Sequence, residues 1–356
     1  MNNCYDIAVV GAGPAASVFA KELSERNSDI KILIIDGQTK ENPKVCGGLL
    51  SPDAQKIFAK LNLTLPNRVL ANPQIFAVET IDLQKNNTRY YQRHYLNMNR
   101  YLFDKWLLSL VGENVEIING RCLSIKSKNE IYALRISTKE GEISVFTKTV
   151  VGADGASSIV RKKLFNKKLY QYVAIQQTFE DNSAKMPYYS CVFDEKTSDS
   201  CSWSIRKDGV AVFGGAFKVK GCRKAFELQK QRFENFLSQK FGVPLKTEAC
   251  LVSSPRKWKD FLCGRKNVYL IGEAAGFISA SSFEGISSAV LSGKLLADAY
   301  IQGKNSKEVL EKYKSNTFKL RLKLYLKTKK RQILCSPVLR YLIMKSGIQS
   351  VKKYKI

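Results

Sequence analysis

A glycine-rich turn near the amino terminus is the first feature whose residue types and spacing could do chemistry. It reads Gly11-Ala12-Gly13-Pro14-Ala15-Ala16. Gly11 permits a tight turn, Gly13 lets the backbone approach a pyrophosphate, and Ala16 is small enough for a helix to pack closely on a strand. The helix that begins here would present free N–H groups and a positive dipole end to phosphates. The turn therefore predicts a dinucleotide site that includes Gly11, Gly13, Pro14, Ala15 and Ala16.

The elements around the turn support this prediction. An apolar strand, Ile7–Val10, precedes it, a helix follows to about Arg26, and a second apolar strand, Ile30–Ile35, comes next. This order predicts a parallel pair of strands buried on both faces. Asp36 ends the second strand, where an acidic side chain accepts hydrogen bonds from ribose hydroxyls and disfavours a 2′-phosphate. The unit by itself is compatible with NAD or FAD.

Four further segments carry a family resemblance. Val151–Arg161 (VGADGASSIVR) and Leu270–Gly276 (LIGEAAG) resemble segments of aromatic-hydroxylase-type flavoproteins, and Asn99–Leu107 carries Arg100. Lys44–Pro52 (KVCGGLLSP) resembles the cysteine-glycine signature of the geranylgeranyl reductase family. From Tyr5 to about Ser346 the chain resembles that family of FAD-dependent oxidoreductases, and most of all its CbrA-like branch.

The resemblance implies that the dinucleotide is FAD. It implies that Arg100 contacts the FAD, that Asp154 supports a turn of the cofactor domain, and that Gly272-Glu273 approaches the ribityl–pyrophosphate region. The family usually has Asp where this chain has Glu273. A helix that begins near Gly285-Ile286 would point its N-terminus at the flavin, where its dipole stabilises negative charge on the reduced ring. The full set of predicted cofactor-binding residues is Gly11, Gly13, Pro14, Ala15, Ala16, Asp36, Cys46, Gly47, Arg100, Cys122, Asp154, Gly155, Gly272, Glu273, Gly276, Gly285 and Ile286.

The reaction follows less directly, because flavin supplies either hydride or oxygen chemistry. The resemblance implies reduction of carbon–carbon double bonds in an apolar, isoprenoid-type substrate, with Cys46 and Trp203 in the substrate pocket. We expect the stretches 188–193 and 202–205 to line this pocket. The family often has a Y-x-W-x-F-P segment, of which 201–206 keeps only the tryptophan. Two alternatives stay open: an FAD monooxygenase acting on a small aromatic compound, and a membrane-associated flavoprotein with a binding role. Cys46 and Trp203 could also serve packing alone.

Composition limits the other possibilities. Nine cysteines without a CxxC pair and a single histidine predict no metal site, no disulfide framework and a cytoplasmic location. No second GxGxxG is present, so either NAD(P)H binds only transiently as the electron donor or the electrons come from another carrier. The formal net charge is +27, and residues 304–356 hold 16 Lys or Arg against two acids. In the run 319–327 of this segment, basic residues mostly alternate with leucines. The segment predicts either peripheral contact with the anionic inner face of a membrane or a helical cap over the cofactor domain. Nucleic acid is not expected.

The predicted fold class is α/β, with a Rossmann-like FAD-binding domain, an inserted antiparallel sheet domain for the substrate, and a basic helical C-terminus. The FAD-binding domain is predicted in three parts, and the six predicted segments are 1–68 (FAD-binding, first part), 69–97 (sheet-domain strands), 98–169 (FAD-binding, second part), 170–262 (antiparallel substrate domain), 263–305 (FAD-binding, third part) and 306–356 (basic helical region).

Overall fold

The computed structural model describes residues 4–39, 44–181 and 189–352, and within these ranges the chain forms sixteen strands and nine α-helices. The strands are β1 (Cys4–Val10), β2 (Ile32–Asp36), β3 (Leu49–Leu50), β4 (Ile75–Asp82), β5 (Asn87–Asn97), β6 (Val115–Asn119), β7 (Arg121–Lys128), β8 (Ile131–Ser137), β9 (Glu142–Gly152), β10 (Gln171–Glu180), β11 (Tyr189–Phe193), β12 (Cys201–Lys207), β13 (Val210–Lys218), β14 (Lys246–Ser253), β15 (Gly264–Arg265) and β16 (Val268–Leu270). The helices are α1 (Pro14–Ser24), α2 (Pro52–Lys60), α3 (Arg100–Leu108), α4 (Ile159–Phe165), α5 (Cys222–Leu237), α6 (Ile286–Gln302), α7 (Ser306–Asn316), α8 (Phe318–Leu334) and α9 (Pro337–Ser346).

The first of two compact units contains Met1–Pro43, Tyr101–Tyr170 and Ser253–Leu326. Its sheet has the strand order β15-β16-β9-β1-β2-β6, with β8 and β7 continuing from β9. Within this order β16, β9, β1, β2 and β6 are parallel to one another. Every residue of β2 is buried, and both α1 and β7 pack against this strand. The predicted strand–turn–helix–strand unit is therefore confirmed as β1, α1 and β2.

Two strands of this unit have pairings that a local pattern does not reveal. Strand β6 pairs in parallel with β2, with Ile34 opposite Ile117. Strand β9 is a single element of eleven residues from Glu142 to Gly152. Its first half is antiparallel to β8 and its second half is parallel to β1. Lys148 and Thr149, within this strand, include no turn former, so the chain stays extended.

The second unit contains Lys44–Arg100, Gln171–Val252 and Lys327–Ile356. Its sheet has the order β14-β10-β13-β12-β11-β4-β5-β3. The paired neighbours β10–β13, β13–β12, β12–β11, β4–β5 and β5–β3 are antiparallel as predicted, whereas β11 and β4 are parallel. A phenylalanine-rich core joins the sheet to α5, including Phe179, Phe213, Phe217, Phe226 and Phe233.

This division differs from the predicted segments at several boundaries. Residues 44–68 and 98–100 lie in the second unit, whereas the sequence assigned them to the FAD-binding domain. Residues 253–262 lie in the first unit, whereas the sequence assigned them to the substrate domain. The basic region is shared, because α7 and the first half of α8 belong to the first unit and α9 belongs to the second. In the run 319–327, Leu320 and Leu324 are buried in the core of the first unit. Over the described residues, no helix has the length and apolarity needed to cross a bilayer.

Candidate functional site

The predicted dinucleotide turn contains two glycines, Gly11 and Gly13, and a different physical reason accounts for glycine at each position. Gly11 has a φ of +103°, and a methyl group added there would lie 2.5 Å from the carbonyl oxygen of Ala153. Gly13 has an ordinary φ of −74°, and a methyl group there would meet no described atom within 4 Å. The protein's own packing therefore requires glycine at position 11 but leaves open space at position 13. The open space lies beside the first N–H groups of α1, and the first turn of this helix has no acidic residue. Such a position fits the pyrophosphate of a dinucleotide.

Helix α6 packs beside this turn, because a methyl group at Gly293 of α6 would collide with the carbonyl oxygen of Ala15. A methyl group at Gly272 would be 3.0 Å from Cβ of Ala15, and the N–H of Gly272 donates to Oγ of Ser292 in α6 at 2.8 Å. The helix begins at Ile286, after Gly285, and its first turn has no acidic residue. The structure thus brings Ala15 and Gly272 together in one unit. The N-terminus of α6 belongs to the same unit, and the positive end of its helix dipole favours negative charge.

The two carboxylates predicted beside the cofactor are held by other groups of the first unit. Asp36 is buried, and its Oδ2 lies 2.7 Å from Nζ of Lys105 while its Oδ1 accepts from the N–H of Gln38. An ionised carboxylate has about four acceptor positions, so Asp36 keeps capacity for ribose hydroxyls. Glu273 accepts from the N–H of Ser253 at 2.8 Å. Both residues remain predicted cofactor contacts.

Asp154 caps a helix in the structure. Its Oδ2 accepts from the N–H groups of Ile159 (2.7 Å) and Val160 (3.2 Å) at the start of α4. Burial raises the pKa of Asp154 in spite of these hydrogen bonds. Gly155 has a φ of +68° and begins the short 3₁₀ turn before α4. Cys122 is buried, and burial together with the Asp154 charge raises its pKa to about 11.

Sequence reasoning gave no role to Arg161, although this residue closes the motif at 151–161. Its guanidinium is buried and donates to the carbonyl oxygens of Ala274 and Asp260, both at 2.9 Å. Burial lowers the pKa of Arg161 to about 10. Gly276 lies beside the same carbonyl, because a methyl group there would be 2.6 Å from the oxygen of Asp260. Arg161 therefore fixes the turn that carries Gly272 and Glu273.

In the second unit, the predicted cysteine–glycine segment forms a bend before β3. Sγ of Cys46 accepts from the N–H of Gly48 at 3.4 Å. Burial opposes ionisation of the thiol, but the Arg100 guanidinium, the Gly48 N–H and the Lys207 ammonium outweigh it. The pKa of Cys46 therefore lies below its usual value. Arg100 and Cys46, which are far apart in sequence, thus interact directly.

Lys207 is a member of this cluster that sequence reasoning missed. Its Nζ donates to the carbonyl oxygens of Met98 (3.1 Å) and Gly48 (3.5 Å). Burial lowers the pKa of this ammonium to about 8, and the Cys46 charge acts in the opposite direction. The sequence signal that could have identified Lys207 is the alternation of side chains along β12, which puts Trp203, Ile205 and Lys207 on one face of the strand.

Trp203 lies on an apolar wall of the second sheet. A methyl group at Gly214, directly opposite it on β13, would lie 2.5 Å from its indole nitrogen, so this glycine makes room for the ring. The indole N–H is buried and has no hydrogen-bond partner among the described residues. The wall is formed by Leu49, Ile75, Val78, Tyr95, Tyr189, Cys191, Trp203 and Ile205. Tyr188, predicted to line the pocket, lies outside the described residues.

Comparisons with known proteins agree with this architecture. The chain is 42% identical to Protein CbrA of Shigella dysenteriae over 99% of both chains. It belongs to the CbrA family. A family model described as lycopene cyclase protein matches residues 6–179. CbrA-family membership thus extends over the whole chain, including the basic C-terminal helices.

Solved structures that resemble this CbrA-family chain share its fold. One is a geranylgeranyl bacteriochlorophyll reductase-like protein from Thermoplasma acidophilum, with a TM-score of 0.80 and 20% identity over 96% of this chain and 91% of that one. Another is a probable FAD-dependent monooxygenase from Pseudomonas aeruginosa, with a TM-score of 0.68 and 14% identity over 97% and 100%. The fold is that of FAD-dependent oxidoreductases and monooxygenases.

Proposed function

We propose that this CbrA-family protein is an FAD-dependent enzyme that reduces carbon–carbon double bonds of an apolar, isoprenoid-type substrate. The observation that carries the proposal is the position of Cys46. Its thiol has a lowered pKa and lies next to Gly47, where a methyl group would be 2.7 Å from Cδ1 of Ile205 and 4.0 Å from the indole nitrogen of Trp203. An acidic thiol beside an apolar wall suits proton delivery to a hydrocarbon.

FAD would be held by the open position at Gly13 and by the N-terminal ends of α1 and α6, with Asp36 toward the ribose. When bound and reduced, it supplies the hydride that such a reduction needs. The similarity to a geranylgeranyl bacteriochlorophyll reductase-like protein supports this reaction class.

The second hydrogen of the reduction must arrive as a proton, and we assign Sγ of Cys46 to hold it. A general acid is most effective when its pKa lies near the working pH, and the Arg100 and Lys207 charges move the Cys46 pKa in that direction. Lys207 also binds the carbonyl of Gly48 and so holds the bend that carries the thiol. Arg100 and Lys207 are therefore positioning residues for Cys46.

The test uses the purified full chain loaded with FAD and reduced with dithionite in the absence of oxygen. A geranylgeranyl lipid is added, and mass spectrometry measures the gain of paired hydrogen atoms. Cys46→Ala should lower the rate per bound FAD by roughly 100-fold, the usual scale for losing a general acid. Cys4→Ala, at an exposed position of the first unit, is the matched control. A protein that holds FAD but leaves the lipid unreduced contradicts the substrate assignment.

A second candidate is hydroxylation of a small aromatic compound, which the structural similarity to a probable FAD-dependent monooxygenase favours. In this case NAD(P)H would bind transiently as the electron donor. Oxygen uptake and NADPH consumption stimulated by an aromatic compound, without anaerobic reduction of the lipid, would select this reaction.

A further inference from the structure

The inner face of the last helix, α9, is fixed to the second unit by buried polar contacts. Nε of Arg340 donates to Oδ2 of Asp82 at 2.8 Å, and its Nη2 lies 3.2 Å from Glu195. Arg340 is 3% exposed and Asp82 is fully buried. One turn later Met344 is buried, and its carbonyl accepts from Nε of Arg89 at 2.7 Å. These contacts determine which side of α9 faces outward.

The outer face of α9 carries large aliphatic side chains in two adjacent rows. Val338 and Leu342 form one row and Leu339 and Ile343 the other, each pair separated by four residues. Their exposed fractions are 66%, 54%, 44% and 41%, and Ile348, just beyond the helix, is 68% exposed. A contiguous apolar face of this kind on a ten-residue helix marks an interaction surface.

The chain segment that carries this face has charges of one sign. Residues 327–352 contain seven Lys or Arg and no Asp or Glu. Four of these cations, Lys329, Lys330, Lys345 and Lys352, are exposed. An apolar helix face with exposed cations nearby complements the interface of an anionic bilayer, where apolar side chains enter the acyl boundary and lysines meet head groups.

We propose that the outer face of α9 and its neighbouring lysines dock the protein on an anionic lipid surface. The proposal is independent of the reaction assigned above. It places lipid contact at α9 and not in the run 319–327, where Leu320 and Leu324 are already used in the core. The protein would lie on the membrane, in keeping with the finding that no described helix is suited to spanning it.

The test is co-sedimentation of the full FAD-loaded chain with vesicles of phosphatidylcholine alone or mixed with phosphatidylglycerol. We expect binding to the mixed vesicles only, and weaker binding at high salt. Leu342→Asn with Ile343→Asn should reduce the partition coefficient by at least about tenfold. Val243→Asn with Leu245→Asn is the matched control, because these aliphatic side chains are 87% and 59% exposed on a loop of the same unit.

A charge-reversal pair tests the same surface without altering its apolar residues. Lys330→Glu with Lys345→Glu should reduce binding to anionic vesicles by at least about tenfold, since each lysine near such a surface contributes on the order of 1 kcal/mol. Lys218→Glu with Lys220→Glu, exposed at the end of β13, carries the same change in net charge and should bind like the wild type.

Three results would overturn the proposal. One is a wild-type chain that does not bind anionic vesicles, and another is equal loss of binding in the test and control variants. The third is a dimer that the α9 variants dissociate, seen by light scattering, which would assign the face to a second copy. The FAD content and the turnover of each variant are measured in parallel, so failure of lipid binding is distinguishable from failure of the proposed reaction.

Discussion

A single methyl group at position 13 should separate the fold of the first unit from its cofactor binding. In Gly13→Ala the new Cβ meets no described atom within 4 Å, and the φ of −74° is normal for alanine. Losing glycine at a helix N-cap costs about 0.5–1 kcal/mol, whereas the less flexible unfolded chain contributes about 0.4–1 kcal/mol in the opposite direction. The free energy of unfolding without cofactor should therefore change by less than about 1 kcal/mol.

Binding of FAD should respond much more strongly. The methyl group would occupy the space through which a phosphate approaches the backbone, and loss of one hydrogen bond to a charged group costs about 1.5–3 kcal/mol. This corresponds to a roughly 10- to 150-fold weaker affinity, measured by fluorescence quenching of FAD added to the apoprotein. A Gly13→Ala protein that folds normally and binds FAD as tightly as the wild type would refute the assignment.

Gly11→Ala provides the matched comparison. Its Cβ would lie 2.5 Å from the carbonyl oxygen of Ala153, and its φ of +103° is unfavourable for alanine. We expect the free energy of unfolding of the apoprotein to fall by more than about 2 kcal/mol, because a positive φ alone costs roughly 1–2 kcal/mol. Equal stability of the Gly11→Ala and Gly13→Ala apoproteins would show that the two glycines are not distinguished by packing.

Two further predictions concern buried charges in the second unit. Arg340→Met should lower the free energy of unfolding by about 3–5 kcal/mol, because it leaves the buried Asp82 carboxylate without its cation. With Asp82→Asn in the same chain the loss should be smaller than the sum of the single losses, and additive urea-unfolding energies would contradict this coupling. Lys207→Met should raise the pKa of Cys46, since the ammonium stabilises the thiolate below about pH 8, where Lys207 itself is charged. The ultraviolet absorbance of the thiolate, compared with Cys46→Ala over pH, measures this shift, and an unchanged titration would exclude Lys207 as the cause.

The parts of the structure that sequence predicted are those with local signals. The β1–α1–β2 unit follows from a glycine turn between two apolar strands, and its elements lie within some thirty residues. The contacts that sequence missed are distant in the chain. Lys207 binds a carbonyl 109 residues away, and Arg340 binds a carboxylate 258 residues away. No local period or motif reports such pairs, because they depend on which strands become neighbours in the sheet.

Glycines in the second unit show how local and distant signals combine. Gly48 has a φ of +69°, and a methyl group there would collide with the carbonyl of Met98, so the bend after Cys46 tolerates no side chain. Gly47 and Gly214 make room for side chains of a single strand, β12, namely Ile205 and Trp203. The glycines therefore set the distance between the Cys46 thiol and the β12 face that carries Trp203 and Lys207. A side chain at position 47 or 214 would displace the apolar wall from the thiol, so these two glycines fix the spacing on which the proposed site depends.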